Sequence, residues 1–125
     1  MGEYNYQISI DKEHQLIRLV LKGVVSKIEG EQVIIETRAA SAENGLDILC
    51  DIREAEIVAR PADWFFLLRN KDIYPSKPNE KTALLITSKK RGFFGFVGNV
   101  ALNMSMNIQV FVDESEALDW LQKES

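Results

Sequence analysis

Three short apolar segments, residues 47–52, 82–87 and 108–112, are separated from one another by stretches long enough to hold a helix. Strands joined through a helix run parallel, because the crossover returns the chain to the edge it started from, and right-handed crossovers set the winding. Most of the sheet is therefore expected to be parallel. Two further strands precede these units with only a short turn between them. Tyr4, Tyr6, Ile8 and Ile10 alternate with Asn5, Gln7 and Ser9, the period-two pattern of a half-buried strand over 4–10. Asp11-Lys12-Glu13-His14 is a polar turn, and 16–21 is rich in Leu, Ile and Val. So short a connection makes the pair an antiparallel hairpin.

The helices announce themselves by their ends. Ser26 followed by Glu29 has capping-box spacing, and Asn44-Gly45 supplies a stop that tolerates the left-handed conformation. Between them Ile28, Ile35, Ala39 and Ala42 fall on one narrow face at ~100° per residue. That face is expected to point inward, leaving Val33 and Ile34 off it. Pro61 suits the first turn of a second helix, which carries Trp64, Phe65, Phe66, Leu67 and Leu68 and ends before Tyr74-Pro75. A third is expected over about 91–105. Asp113 caps the last, with Glu116 at the capping-box position and Ala117, Leu118 and Leu121 turned inward. The expected fold is α/β, ordered ββαβαβαβα: a five-stranded mixed sheet, antiparallel in its first pair and parallel elsewhere, with four helices. A doubly wound sheet has the same elements and differs only in strand order.

At 125 residues the chain is expected to be a single domain over 1–125. Hydrophobic residues at 46% and charged residues at 27% suit a folded globular protein, and a net charge of −4 is wrong for a general nucleic-acid binder. One Cys cannot form a disulfide within the chain, and one Cys with one His cannot build a Cys/His zinc site, so neither metal nor other cofactor is expected. The first residues lack the basic and apolar regions of a secretory signal, and no apolar run approaches the ~20 residues of a membrane span. A cytoplasmic location is the expectation.

With the elements placed, the chain resembles the STAS fold of sulfate transporters and anti-sigma-factor antagonists, and more closely the small single-domain SpoIIAA-like group of bacterial proteins. The resemblance spans nearly the whole chain. It rests on element order, on Lys22-Gly23 before the first helix, on Asp51-Ile52-Arg53 at the end of the third strand, and on the segment Val110-Phe111-Val112-Asp113-Glu114-Ser115-Glu116-Ala117-Leu118-Asp119-Trp120-Leu121. It implies a right-handed βα superhelix opened by a hairpin. One departure matters. Phosphoswitch members carry an Asp-Ser pair followed by Ser or Thr and Gly where the third strand passes into the second helix. Here that region reads Arg53-Glu54-Ala55-Glu56-Ile57-Val58-Ala59-Arg60-Pro61. Without a hydroxyl it cannot accept the added charge on which such a switch depends.

Parallel α/β sheets bind ligands beyond the carboxyl ends of their strands. Asp51, Arg53, Thr87, Ser88, Lys89, Lys90 and Arg91 are expected there, with Asp113 after the last strand. Residues 88–98 join three cations to Phe93, Phe94 and Phe96, with glycines at 92, 95 and 98. This is an expected anion or lipid-headgroup site, formed by Asp51, Arg53, Ser88, Lys89, Lys90, Arg91, Phe93 and Phe94, against the alternative of a solvated loop leading into a core helix. The glycine spacing is neither that of a dinucleotide fingerprint nor that of a P-loop. Asp51 and Arg53, two apart on a strand, form either a cleft pair or an ordinary surface ion pair. Cys50 is expected to be buried and structural, and His14 solvated and too far away to act as its base.

Trp64, Phe65 and Phe66 cover more of a helix than one sheet-facing stripe can bury. Together with Val33 and Ile34 they are an expected partner surface, suited to a homodimer. These features point to a non-enzymatic STAS-like module that regulates or interacts through protein contacts. The alternative is a small apolar-ligand or lipid-binding protein that uses 89–96 as its entrance.

Overall fold

The computed structural model describes residues 4–58, 77–90, 92 and 107–123. Five strands form one sheet: β1 (Tyr4–Asp11), β2 (Leu16–Ser26), β3 (Asp47–Val58), β4 (Lys81–Leu85) and β5 (Asn107–Phe111). Their spatial order follows the chain; β1 is antiparallel to β2, and every later neighbour is parallel. This is the expected mixed sheet, and its sequential order excludes the doubly wound alternative, whose order reverses part-way. Among the described residues there are two α-helices, α1 (Lys27–Asn44) and α2 (Glu114–Gln122). The helices expected to begin at Pro61 and to span about 91–105 lie outside the described residues.

The second and third strands are longer than their apolar cores suggested. β2 continues through Lys22–Ser26 because Glu54–Val58 of β3 continues beside it, so a region expected to be loop is strand. Val20 pairs with Asp51 but Lys22 pairs with Glu54, leaving Ile52 and Arg53 opposite Leu21 alone. That extra residue on β3 is a β-bulge, which bends a strand and re-aims its side chains.

Both ends of α1 match expectation. The Ser26 hydroxyl accepts from the Glu29 amide at 3.2 Å, and the Glu29 carboxylate accepts from the Ser26 amide at 2.9 Å. Gly45 closes the helix at φ +65°. The inward face, however, is Val33, Thr37 and Ser41, not Ile28, Ile35, Ala39 and Ala42. Two of the three buried positions are polar, which hides the stripe from an apolar pattern. Their hydroxyls cost little to bury because Thr37 donates to the Val33 carbonyl at 2.7 Å and Ser41 donates to the Leu46 carbonyl. Val33 is 1% exposed and belongs to the core, so it cannot be partner surface; Ile28 is 72% exposed.

Alternate residues of β2 and β3 feed two cores, as strands covered on both faces require. Ile17, Leu19, Leu21, Ile48, Cys50 and Ile52 pack on the α1 side with Val33. Leu16, Leu49, Ala83 and Leu85 pack on the other side against Ala117 and Leu121 of α2. Asp113 caps α2 by accepting from the Ser115 amide at 2.8 Å.

Candidate functional site

Arg18 lies on the strand face that α2 packs against, and Asp51 and Arg53 lie where β3 bulges. These positions join into a chain of charges. Arg53 grips Asp51 with two parallel bonds, Nε to Oδ1 at 3.0 Å and Nη2 to Oδ2 at 2.8 Å, while its backbone amide donates to Oδ1 at 3.2 Å. Its Nη2 also lies 3.7 Å from Glu114 in the first turn of α2. Glu114 Oε1 is in turn 3.4 Å from Arg18 Nη1. Arg18 Nη2 donates to Asp11 Oδ2 at 3.0 Å, and His14 Nδ1 meets the same oxygen at 2.9 Å. The signs alternate from Asp51 to Arg18 and on to Asp11, so each carboxylate faces a guanidinium. The pair Asp51–Arg53 was legible from its i, i+2 spacing. Arg18, Glu114 and Asp11 were not, because they come from three other elements.

The electrostatics are those of an ion ladder. The Arg53 hydrogen bond holds the Asp51 carboxyl below its ordinary range, against the opposing effect of burial. Burial alone would raise Asp11, but bonds from the His14 ring and amide and from Arg18 overcome it and bring the carboxyl to about 2. His14 is thus held by Asp11 rather than simply solvated. A folded-state pKa below the ordinary carboxylate value means stability that is present above pH ~4 and lost as pH falls towards 2. Asp11→Asn is expected to cost about 1 kcal/mol at pH 7, discounted for solvent screening, and almost nothing at pH 2. Urea titrations at the two pH values check this; an equal cost at both contradicts it.

The basic segment is only partly a free surface. Ser88–Lys90 forms a single 3-10 turn after β4, with Ser88 and Lys89 exposed. Lys90 is half-buried, and its ammonium donates to the Ala55 carbonyl of β3 at 2.8 Å. That bond ties the turn to the extended part of β3. Arg91, Phe93 and Phe94 lie outside the described residues, as do Trp64, Phe65 and Phe66. Ile34 is half-buried on α1.

Cys50 is a core residue. Burial pushes its thiol up to about 12, with the charges of Glu80 and Asp51 adding to the effect. A thiol held protonated is neither nucleophile nor metal ligand. Native protein is expected to stay unlabelled by a thiol reagent for hours and to react at one equivalent in denaturant; rapid native labelling would contradict the placement. Glu80 is also raised by burial, although Arg38 opposes the shift from 3.7 Å. Among the described residues no cluster of three metal-ligating side chains occurs, and no helix is long and apolar enough to cross a membrane.

Neither a protein-family model nor a curated protein sequence matches the chain. A solved structure does: an uncharacterised protein of the DUF3478 family with a SpoIIAA-like fold, from Shewanella loihica PV-4. It aligns over 95% of both chains at a TM-score of 0.60 and 21% identity. The chain has the SpoIIAA-like fold. At that identity the likeness establishes the fold of the SpoIIAA-like chain and carries nothing about its activity. It agrees with the resemblance drawn from Lys22-Gly23, Asp51-Ile52-Arg53 and the segment from Val110 to Leu121. The bulge and continued strand occupy Arg53–Val58, the stretch in which the resemblance found no hydroxyl.

Proposed function

We propose that this SpoIIAA-like chain is a non-enzymatic module that acts by binding another protein through its charged face. The observation that carries the reading is the ladder from Asp51 through Arg53, Glu114 and Arg18 to Asp11. Arg53 is half-exposed yet held by both ends of the Asp51 carboxylate. Donors and acceptors fixed in advance lose little freedom on binding, and an alternating array selects a partner by charge complementarity. The same pairing argues against general acid–base work, which needs a carboxyl poised near neutral pH. Commitment of Lys90 to the Ala55 carbonyl weighs against the apolar-ligand or lipid alternative at 89–96, since it removes one cation from that entrance.

Affinity capture with the full chain, compared between wild type and Arg53→Glu, tests the reading. A stoichiometric protein retained by wild type and lost by the variant is expected. Equal retention by both, or turnover of a small molecule by the purified chain, overturns it.

A further inference from the structure

β1 is the edge of the sheet, and its outer side has no strand neighbour among the described residues. Edge strands ordinarily protect their free backbone groups with charges, prolines, bulges or short length. This one has none of these over seven residues. Tyr4-Asn5-Tyr6-Gln7-Ile8-Ser9-Ile10 contains no charged residue, proline or glycine, and it pairs with β2 in unbroken register. Its apolar face is only half covered: Tyr6 is 38% and Ile10 48% exposed.

α1 packs on this same face of β1, where Tyr4 and Ile8 join the cluster that holds Val33. The Tyr6 hydroxyl donates to Glu36, which fixes the side of α1 that looks towards β1. At ~100° per residue Glu29, Gln32, Ala40 and Glu43 share that flank with Glu36, whereas Ile28, Ile35 and Ala39 lie opposite the inward face of Val33, Thr37 and Ser41.

We propose that two copies of the chain join by antiparallel pairing of β1 with its counterpart, about a two-fold axis through Gln7, into one ten-stranded sheet. The segment is self-complementary in this register. Tyr4 faces Ile10 of the second copy, Tyr6 faces Ile8, Asn5 faces Ser9, and Gln7 faces Gln7. The apolar face meets an apolar face through aromatic and β-branched pairs, which are favourable across strands, and polar meets polar on the other face. No like charges oppose one another within the seven residues. Centring on Tyr6 would shorten the pairing, and centring on Ile8 would draw Asp11 into it. Both α1 helices then stand on one side of the joint sheet, flanking a floor of Tyr4, Tyr6, Ile8 and Ile10 from each copy. This interface does not use the charged ladder, so it stands or falls apart from the proposed function.

Light scattering on the purified full chain is expected to give twice the 14.2 kDa chain mass at micromolar concentration. Gln7→Lys sets two ammonium groups face to face on the axis and is expected to give a folded monomer with unchanged circular dichroism. Oxidative cross-linking fixes the register, since the one native thiol, Cys50, is buried. Gln7→Cys is expected to form a disulfide-linked dimer, because only residue 7 meets itself, while Asn5→Cys and Ser9→Cys are not. A monomeric wild type, which would leave the edge to a strand from some other protein, overturns the proposal. So does a dimer that cross-links equally through all three positions.

Discussion

Leu49→Ala is expected to lower unfolding free energy by about 3–4 kcal/mol, within the range of large-to-small core substitutions. Leu49 is 0% exposed at the middle of β3, flanked by Arg18 on β2 and Ala83 on β4. Its α2-side neighbours include two alanines, Ala83 and Ala117, which have no side-chain reach to fill a void. A site that cannot collapse keeps its cavity and loses the packing contacts of the surrounding atoms. Urea denaturation reads the loss directly. Leu49→Met, nearly equal in volume, is expected to cost under about 1.5 kcal/mol. A Leu49→Ala cost below 1 kcal/mol, on the order of a surface substitution, would contradict the two-sided core.

Lys81→Ala is expected to cost about 2–3 kcal/mol through a different mechanism. Lys81 is almost wholly buried at the start of β4, and its ammonium donates to the carbonyls of Trp120 and Lys123 at the end of α2. It also sits 5.5 Å from the centroid of the Trp120 ring. The carbonyl end of a helix attracts a cation, and hydrogen bonds from a charged donor are among the stronger kind. Removing the ammonium takes the charged donor from the Lys123 carbonyl and leaves the Trp120 carbonyl only the Lys123 amide at 3.3 Å; it also frees α2 to lift from β4, held then by Ala117, Leu121 and the Gln122 bond to the His14 carbonyl at 2.8 Å. Chemical denaturation gives the total. Hydrogen exchange is expected to show faster opening in α2 than in α1, and uniform change across both helices would contradict the local role.

The sheet was legible because its signals are local and repeated. Period-two alternation at Tyr4–Ile10, capping chemistry at Ser26 and Glu29, and the Gly45 stop each act within a few residues, and all appear as read. The inward face of α1 was misread because burial there falls on Thr37 and Ser41, whose hydroxyls are satisfied by backbone carbonyls that no hydropathy pattern reveals. The length of β3 was missed because Arg53–Val58 opens on two charged residues and closes on two apolar ones, which interrupts the period-two pattern, while its strand character comes from β2 alongside. At the candidate site, Asp51 and Arg53 were found by spacing. Their continuation through Glu114 and Arg18 depends on a long-range approach of α2 to the hairpin strands. Lys81, by composition an ordinary surface lysine, is buried for the same long-range reason.

The most direct measurement is native mass spectrometry of the SpoIIAA-like chain isolated from its own cells, compared with the Arg53→Glu variant. The account predicts that wild type carries a second, different polypeptide and that the variant has lost it. A species of lipid or metabolite mass bound one-to-one to each chain, with no foreign polypeptide, would contradict it.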